Sequence, residues 1–477
     1  LVTTKEGKEG KPKMKIRFEN SLSQPTKDLE FADNITFMRK HNEAILMRDI
    51  NGIPRYTEEK IFRTSQGNDA LRYPNNNWKE MLTRDYTINQ RLNFNVSGGG
   101  KVARYYLAAS VNQDNGILKN ADKNNFDNNI DLKKYLLRSN INLNITQTTE
   151  VGIKFHATFD DYSGPVYGGS EIYRMTLYAN PVLFPAYYEP DEENRFRDHI
   201  LYGNYGDGNY LNPYAEMTRG YRERDRSLIL SQFELDQDLS FITQGLHAKL
   251  IYNTNREARS GISRFYNPYY YELVNPMGDY ELALINPDSG TEYLNYREDE
   301  KQVMVNNYYE GRLRYDNSFA EKHGINGLLV LVARERKVTN PGTLQLSLPY
   351  RNLGLSGRFT YDYDTRYFLE FNFGYNGSER FAENERFGFF PSVGLGYFIS
   401  NEQFFQPLTN TVNKLKLKAT YGLVGNDAIG SAQDRFFFLS EVNLNDPARG
   451  GIFGSRYDYS KTGVSISRYE NDQIKWE

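Results

Sequence analysis

Apolar side chains recur at every second residue over much of this chain, most clearly between Arg366 and Asn401. Leu369, Phe371, Phe373 and Tyr375 fall on one face, while Glu370, Asn372, Gly374 and Asn376 fall on the other, the period of two that a pleated strand imposes. After a polar stretch at 377–388 the chain returns through Val393, Leu395, Tyr397 and Ile399, less strictly alternating with Ser392, Gly394, Gly396 and Phe398. The same alternation predicts a first strand at 14–22 and a hairpin in which Leu92, Phe94 and Val96 turn at Ser97-Gly98-Gly99-Gly100 and return through Tyr105, Leu107, Ala109 and Val111. It recurs at Ile141, Leu143 and Ile145 with Val151, Ile153, Phe155, Ala157 and Phe159, and at Phe233, Leu235, Leu239 and Phe241 before a turn at Gln244-Gly245. Tyr309, Leu313, Tyr315 and Phe319 lead to a turn near His323-Gly324 and a return at 328–333. Leu415, Leu417, Ala419 and Tyr421 alternate with Lys414, Lys416, Lys418 and Thr420. Only residues 28–49 change period: Leu29, Ala32, Ile35, Phe37, Met38, Ala44, Ile45 and Met47 stand near helical spacing, with Pro25 and Asp28 as stop and cap. Residues 51–86 read as a polar loop.

Strands with one greasy and one wet face fit a soluble sandwich or the wall of a membrane barrel. The intervals between them separate the two. Connections alternate between a few residues and long excursions at 161–225, 259–298, 339–351 and 425–472, as short periplasmic turns and long extracellular loops do in an outer-membrane barrel. The arms add up to roughly thirteen strands, too many for a comfortable open soluble sheet, and most approach the ~9–11 residues that cross hydrocarbon at a tilt. The polar face agrees: Glu234, Asp236 and Asp238 on one strand, and Lys414, Lys416 and Lys418 on another, suit a watered lumen and not a dry core. The reading is an all-β, antiparallel transmembrane β-barrel.

Composition changes this picture little. The 477 residues carry 58 Lys and Arg against 61 Asp and Glu, a balance that offers nucleic acid no recruiting field. With no cysteine, disulfides and thiolate metal sites are excluded. The 38 Tyr and 29 Phe suit interfacial girdles, and a mean hydropathy of −0.70 leaves no apolar run long enough for a spanning helix. The opening Leu1-Val2-Thr3-Thr4 resembles the inside of a strand, not a signal peptide, so the chain reads as an internal segment of a longer protein.

Candidate chemistry is sparse. His41, His156, His199, His247 and His323 stand far apart without metal-ligand spacing. Asp160-Asp161 and Asp191-Glu192-Glu193 lack the spaced oxygens of a calcium loop and read as solvated. The stretch from Gly203 to Asn209, GNYGDGN, lacks the context of a phosphate cradle and reads as a flexible loop. No nucleophile–base or paired-acid arrangement points to an enzyme, and no cofactor is implied. The densest group is aromatic: Tyr187, Tyr188, Tyr202, Tyr205, Tyr210 and Tyr214 crowd one excursion, where rings and hydroxyls suit sugars, peptide side chains or a protein partner. Packing of the loop against its neighbours explains them equally well.

Several blocks resemble one family. Asn376-Gly377-Ser378-Glu379-Arg380-Phe381 followed by Phe389-Phe390-Pro391-Ser392-Val393-Gly394-Leu395-Gly396-Tyr397 is similar to the DGSSRF…FPSVSLGW block of the SusC/RagA family of TonB-dependent outer-membrane transporters. Leu415 to Gly422 and Gly425-Asn426 are similar to its LKLRASYG…GN. Val96-Ser97-Gly98-Gly99, Tyr105-Tyr106 and Asn115-Gly116-Ile117-Leu118 resemble its SVSGG…YY…GIL. Leu1-Val2-Thr3-Thr4-Lys5 resembles the last plug strand, and Ile474-Lys475-Trp476-Glu477 the LKWE that begins a later barrel strand. Asn376 replaces the usual Asp, and Tyr397 the usual Trp. The resemblance implies a barrel of about 22 strands with a plugged lumen, residues 1–10 ending the plug and its linker and 11–477 forming the first half or more of the barrel. It assigns Asn376, Gly377, Arg380, Phe381, Phe390, Pro391, Gly425 and Asn426 to structural motif positions. It further implies import of an oligosaccharide or oligopeptide across the bacterial outer membrane, surrounded by its lipid, with energy relayed by the TonB complex through a segment absent here and a SusD-like lipoprotein over the loops. The alternative is a passive porin; a plug just upstream of Lys5 favours the transporter.

Overall fold

A computed structural model describes residues 5–27, 29–275, 278–299, 301–430 and 434–477. Leu1–Thr4, expected to end a plug strand, and Asp28, expected to cap a helix, lie outside the described residues.

Among the described residues, thirteen strands run up and down in one antiparallel sheet, each hydrogen-bonded to the next wall strand in the chain. They are β1 (Gly10–Ser23), β2 (Thr87–Gly99), β3 (Ala103–Asn115), β4 (Asp131–Asn144), β5 (Thr149–Pro165), β6 (Gly220–Asp238), β7 (Leu246–Phe265), β8 (Gln302–Phe319), β9 (His323–Val338), β10 (Tyr350–Tyr363), β11 (Tyr367–Gly377), β12 (Phe387–Phe398) and β13 (Lys416–Gly422). A short strand, Asn295–Glu298, pairs beside β7. The rough count of thirteen made from alternation matches this wall. Turns at 100–102, 145–148, 239–245, 320–322 and 364–366 join strands at one end, and the longer excursions leave from the other. The segment at 399–415 breaks this contrast: it lies at the short-turn end yet contains two 3-10 turns, Ile399–Asn401 and Gln403–Leu408.

Register places the apolar rows on a common face. Phe371 pairs with Phe359 on one side and Val393 on the other, and Leu369 pairs with Tyr361 and Leu395. Farther along, Leu331 opposes Leu355, which opposes Tyr375, which opposes Phe389. These side chains are not buried within the protein: Leu369 remains 44% exposed, Phe371 39% and Leu395 58%. The dry clusters consist of residues from the loops and their helices. A sandwich would bury this apolar row against a second sheet, whereas a barrel wall leaves it for lipid. Aromatics border the band at both ends: Tyr367 stacks on Tyr397 at 5.0 Å near the short turns, and Tyr375 on Phe387 at 5.1 Å near the loops. Tyr397, standing where the resembling family has Trp, therefore still supplies a girdle ring. The other face is charged and paired. Glu370 meets Arg358 at 2.8 Å, while Glu234 is held by Lys154 at 2.6 Å and Lys249 at 2.9 Å.

Several boundaries differ from the sequence reading. The helix is α1 (Asn34–Arg48), capped by Asp33, whose Oδ1 accepts from Ile35 N at 3.0 Å and Thr36 N at 2.9 Å. The supposed loop at 51–86 contains α2 (Glu58–Gln66), capped by Thr57 and closed by left-handed Gly67, and the five-residue α3 (Trp78–Leu82). Such short helices carry too few periods to stand out. The expected excursion at 425–472 contains a hairpin of its own, Glu441–Phe453 with Tyr459–Arg468, separate from the wall; its register shifts three times, which blurs the alternation. Phe241, taken as a strand position, lies beyond β6 in the turn and is 73% exposed. The middle strands exceed expectation: β5, β6 and β7 have 17, 19 and 20 residues, against the ~9–11 that cross a bilayer. The wall therefore rises beyond hydrocarbon before its loops begin.

In lipid vesicles, Leu369→Arg or Phe371→Arg in the full-length protein should lower refolding stability by about 2–4 kcal/mol when placed at mid-bilayer. Asn372→Arg on the polar face should change it by no more than about 0.5 kcal/mol. A urea titration measures both, and equal tolerance of the two faces would contradict the outward orientation.

Candidate functional site: the loop cap and its rim

The excursions at 24–86, 116–130, 166–219 and 266–301 fold together into a cap at the long-loop end. Its main cluster joins Trp78 and Leu82 of α3, Leu118, Ile172 and Met175 of α4 (Gly169–Tyr178), Phe184, Tyr202, and Ala215 and Met217 of α5 (Pro213–Thr218). A second cluster gathers Tyr188, Leu201, Tyr271 and Leu282. Loops of such length ordinarily cannot bury enough apolar area to order themselves; here four of them share it.

The six candidate tyrosines divide between this core and its surface. Tyr188, Tyr202 and Tyr214 are buried. Burial raises all three hydroxyl pKa values, that of Tyr214 to about 12. The Tyr202 hydroxyl is satisfied by Thr218 Oγ1 at 2.8 Å. Tyr187 is half-buried against Tyr214, with ring centroids 5.3 Å apart, and Lys123 Nζ lies 4.5 Å from its ring. Tyr205 and Tyr210 meet edge to face at 5.9 Å, and Arg55, from the first excursion, donates to the Tyr210 hydroxyl at 2.7 Å. Tyr205 is 48% exposed. Tyr210 is half-buried against the main cluster, so the pair and Arg55 form a platform anchored in the core, spanning two loops, with Tyr205 and Arg55 on its exposed side.

The stretch read as a flexible loop, GNYGDGN, is pinned from within. Asn204 is buried, accepts from Tyr205 N at 2.8 Å and Tyr210 N at 3.2 Å, and donates to Tyr210 O at 2.8 Å. Tyr202-Gly203 pairs in parallel with Tyr270-Tyr271. Asp191, read as solvated, is also buried, accepting from Leu282 N at 2.7 Å and Asn194 N at 2.9 Å. Burial alone would raise its pKa, but these hydrogen bonds outweigh it and hold the carboxyl below its ordinary value.

His199 is the residue the sequence left without a role. Its Nε2 lies 2.8 Å from the Tyr271 hydroxyl and its Nδ1 3.2 Å from Glu292 Oε1, so it ties two excursions together. Its ring lies 4.5 Å from that of Tyr269. The run of tyrosines at 269–271 was the only available signal, and nothing local connected it to His199.

The motif positions converge elsewhere on the rim. Phe381 is fully buried beside Trp476 at 5.4 Å, and Phe390 meets the same indole edge to face at 5.1 Å. A Cβ at Gly425 would lie 2.0 Å from the Phe390 ring, and one at Gly388 2.4 Å, so only bare backbone fits there. Arg380 donates to the carbonyls of Asp427 at 2.8 Å and Ile429 at 3.0 Å. Asn426 and Glu477 exchange backbone bonds of 2.7 and 3.3 Å, while Leu423 N reaches Pro391 O at 2.9 Å. Gly377 ends β11 opposite Phe387, one residue past Asn376, which opposes Gly354 on β10 and Gly388 on β12. Blocks scattered over a hundred residues thus form one clasp.

No family profile matches the chain. Among curated proteins it is 23% identical over 510 residues to TonB-dependent receptor P3 of Formosa agariphila, an alignment covering 100% of this chain and 43% of that protein. To TonB-dependent receptor SusC of Bacteroides thetaiotaomicron it is 22% identical over 510 residues, covering 100% of this chain and 45% of that one. Among solved structures, the RagAB peptide importer in its open-open state superposes with a TM-score of 0.61 at 17% identity, over 99% of this chain and 52% of that one. The chain therefore spans less than half the length of these curated relatives and about half of the solved chain.

Two expectations follow from the geometry. Phe381→Ala should cost about 3–5 kcal/mol through the cavity it leaves, and Gly425→Ala about 1–3 kcal/mol through overpacking against Phe390; both are read from the urea midpoint of the full-length protein. Burial holds the His199 imidazole below its ordinary value of about 6.5 despite the opposing pull of Glu292, so the unfolded loop binds a proton more readily than the folded one. Stability contributed by neutral His199 is complete above about pH 6.5 and is lost as pH falls through its depressed pKa. Protection factors at 269–275 and 278–292, which correct for the intrinsic pH dependence of amide exchange, should fall on going from about pH 7.5 to about 5, and His199→Gln should flatten that dependence.

Proposed function

We propose, from this chain's membership of the SusC/RagA family of TonB-dependent outer-membrane β-barrel proteins, that it forms the cap-bearing part of an importer drawing an oligosaccharide or oligopeptide across the bacterial outer membrane. Residues 1–10 close the plug domain and linker, and 11–477 contribute wall and loops. TonB supplies the energy through a segment upstream, and a SusD-like lipoprotein sits over the cap. The observation that carries this reading is the pairing of an apolar outward row with a charged inner face along thirteen consecutive strands, topped by loops with a dry core of their own. The exposed Tyr205 and Arg55, with the half-buried Tyr210 between them, offer ring faces and a guanidinium to cargo or lipoprotein, and Tyr187 lies in the same cap. Tyr188, Tyr202 and Tyr214 hold that surface in shape. None of these groups forms a covalent bond in such a role; selectivity comes from fit.

The test is growth of a strain carrying the full-length protein on mixed oligosaccharides or on a peptide digest as sole nutrient, with and without functional TonB. Loss of growth without TonB on one of the two mixtures is the expected result and identifies the cargo class. Growth that persists at the same rate would assign the protein to passive porins. Tyr205→Ala with Tyr210→Ala should weaken uptake about 10-fold or more, with the amount of barrel in the membrane unchanged.

A further inference from the structure

The segment leading into β1 does not hang free below the wall. Asn140, on the polar face of β4, donates to the carbonyl of Lys5 at 2.6 Å and is only 2% exposed. Glu6 reaches Lys154 Nζ on β5 at 3.5 Å. Gly7 is buried so close to β3 that a Cβ would lie 2.3 Å from Tyr105 N. Three successive residues therefore touch three successive strands.

The wall beneath is itself braced. Lys154 is also held by Glu234 of β6 at 2.6 Å, and Glu234 by Lys249 of β7 at 2.9 Å. The contact with Glu6 is one member of a chain of charges extending across β5, β6 and β7. A half-exposed pair at that distance contributes little alone. The buried asparagine bond and the glycine contact, which a larger residue could not make, fix the position.

We propose that the lumen face of β3–β5 is a standing seat for residues 5–7, so that traction on the upstream chain ends at Lys5 and leaves β1 paired with β2. The proposal rests on the import reading above, because it presumes a plug that is pulled. Remodelling during import is then confined to residues preceding the seat. A linker that peeled away with the plug would instead load the first ladder of the wall, where β1 pairs with β2 from Gly10↔Gly99 onward.

The test uses the full-length protein in cells. The absence of cysteine from these 477 residues leaves introduced thiols unambiguous within them. Asn140→Cys should react with a small water-soluble maleimide about tenfold or more slowly than Thr146→Cys in the neighbouring exposed turn, equally in energised and protonophore-treated cells. Acceleration on energisation would overturn the proposal. Because Asn140→Cys removes one seat contact, a second measurement leaves Asn140 intact: Glu6→Cys with Lys154→Cys is joined by a short cleavable thiol crosslinker. Growth on whichever mixture supports the parent should stay within about twofold of the uncrosslinked pair. Loss of growth that reverses on cleaving the crosslink would sink the proposal. TonB-independent growth of the parent would instead refute the import reading, and the labelling of Asn140→Cys would still report whether the seat is occupied.

Discussion

The structure depends on one constraint: in lipid every backbone amide and carbonyl must find its partner on the next strand. Once each strand is tied to its neighbour residue by residue, side chains have two directions only, and the chain must supply a greasy residue and a wet one in alternation. The pairing of Phe359, Phe371 and Val393 across three strands, and of Arg358 with Glu370 on the opposite face, follows directly. A slip of one residue would exchange the two faces. The charged face therefore helps define register as much as it lines an aqueous space.

Beyond the bilayer that constraint relaxes, and ordinary soluble-protein physics takes over. The cap packs Trp78, Leu118, Phe184, Ala215 and Met217 into a dry cluster drawn from three excursions, and buried polar groups such as Asn204 and Asp191 find their partners within it. The rim clasp uses a different device. Phe390 and Trp476 pack against each other, with Gly388 and Gly425 supplying backbone where no side chain would fit. Arg380 contributes by donating to the carbonyls of Asp427 and Ile429 in the loop that follows β13. Close approach of glycine to aromatic gives those motif positions their residue types.

The two regions meet at strands longer than a membrane requires. Because β5, β6 and β7 continue past hydrocarbon, the cap is built on a rigid stem, and an aromatic platform such as Tyr205 with Tyr210 is held at a fixed height above the lumen. His199, from the excursion 166–219, is bonded to Tyr271 and Glu292 of the excursion 266–301 and so joins the two.

What the sequence determined by itself was the wall: its strands, their count, the facing of Leu369 against Asn372, and the two lengths of connection. A period of two is local, imposed by the pleat, and survives any tertiary arrangement. The helices at 58–66 and 78–82 escaped because one or two turns carry no period, and the hairpin at 441–468 because its register shifts. Only the tertiary structure decided which of six crowded tyrosines face water, that Asn204 and Asp191 are buried, and that Arg380, Phe390, Gly425 and Trp476 meet. Those outcomes depend on contacts between residues far apart in the chain, and burial is set by what packs over a side chain, which local spacing does not encode.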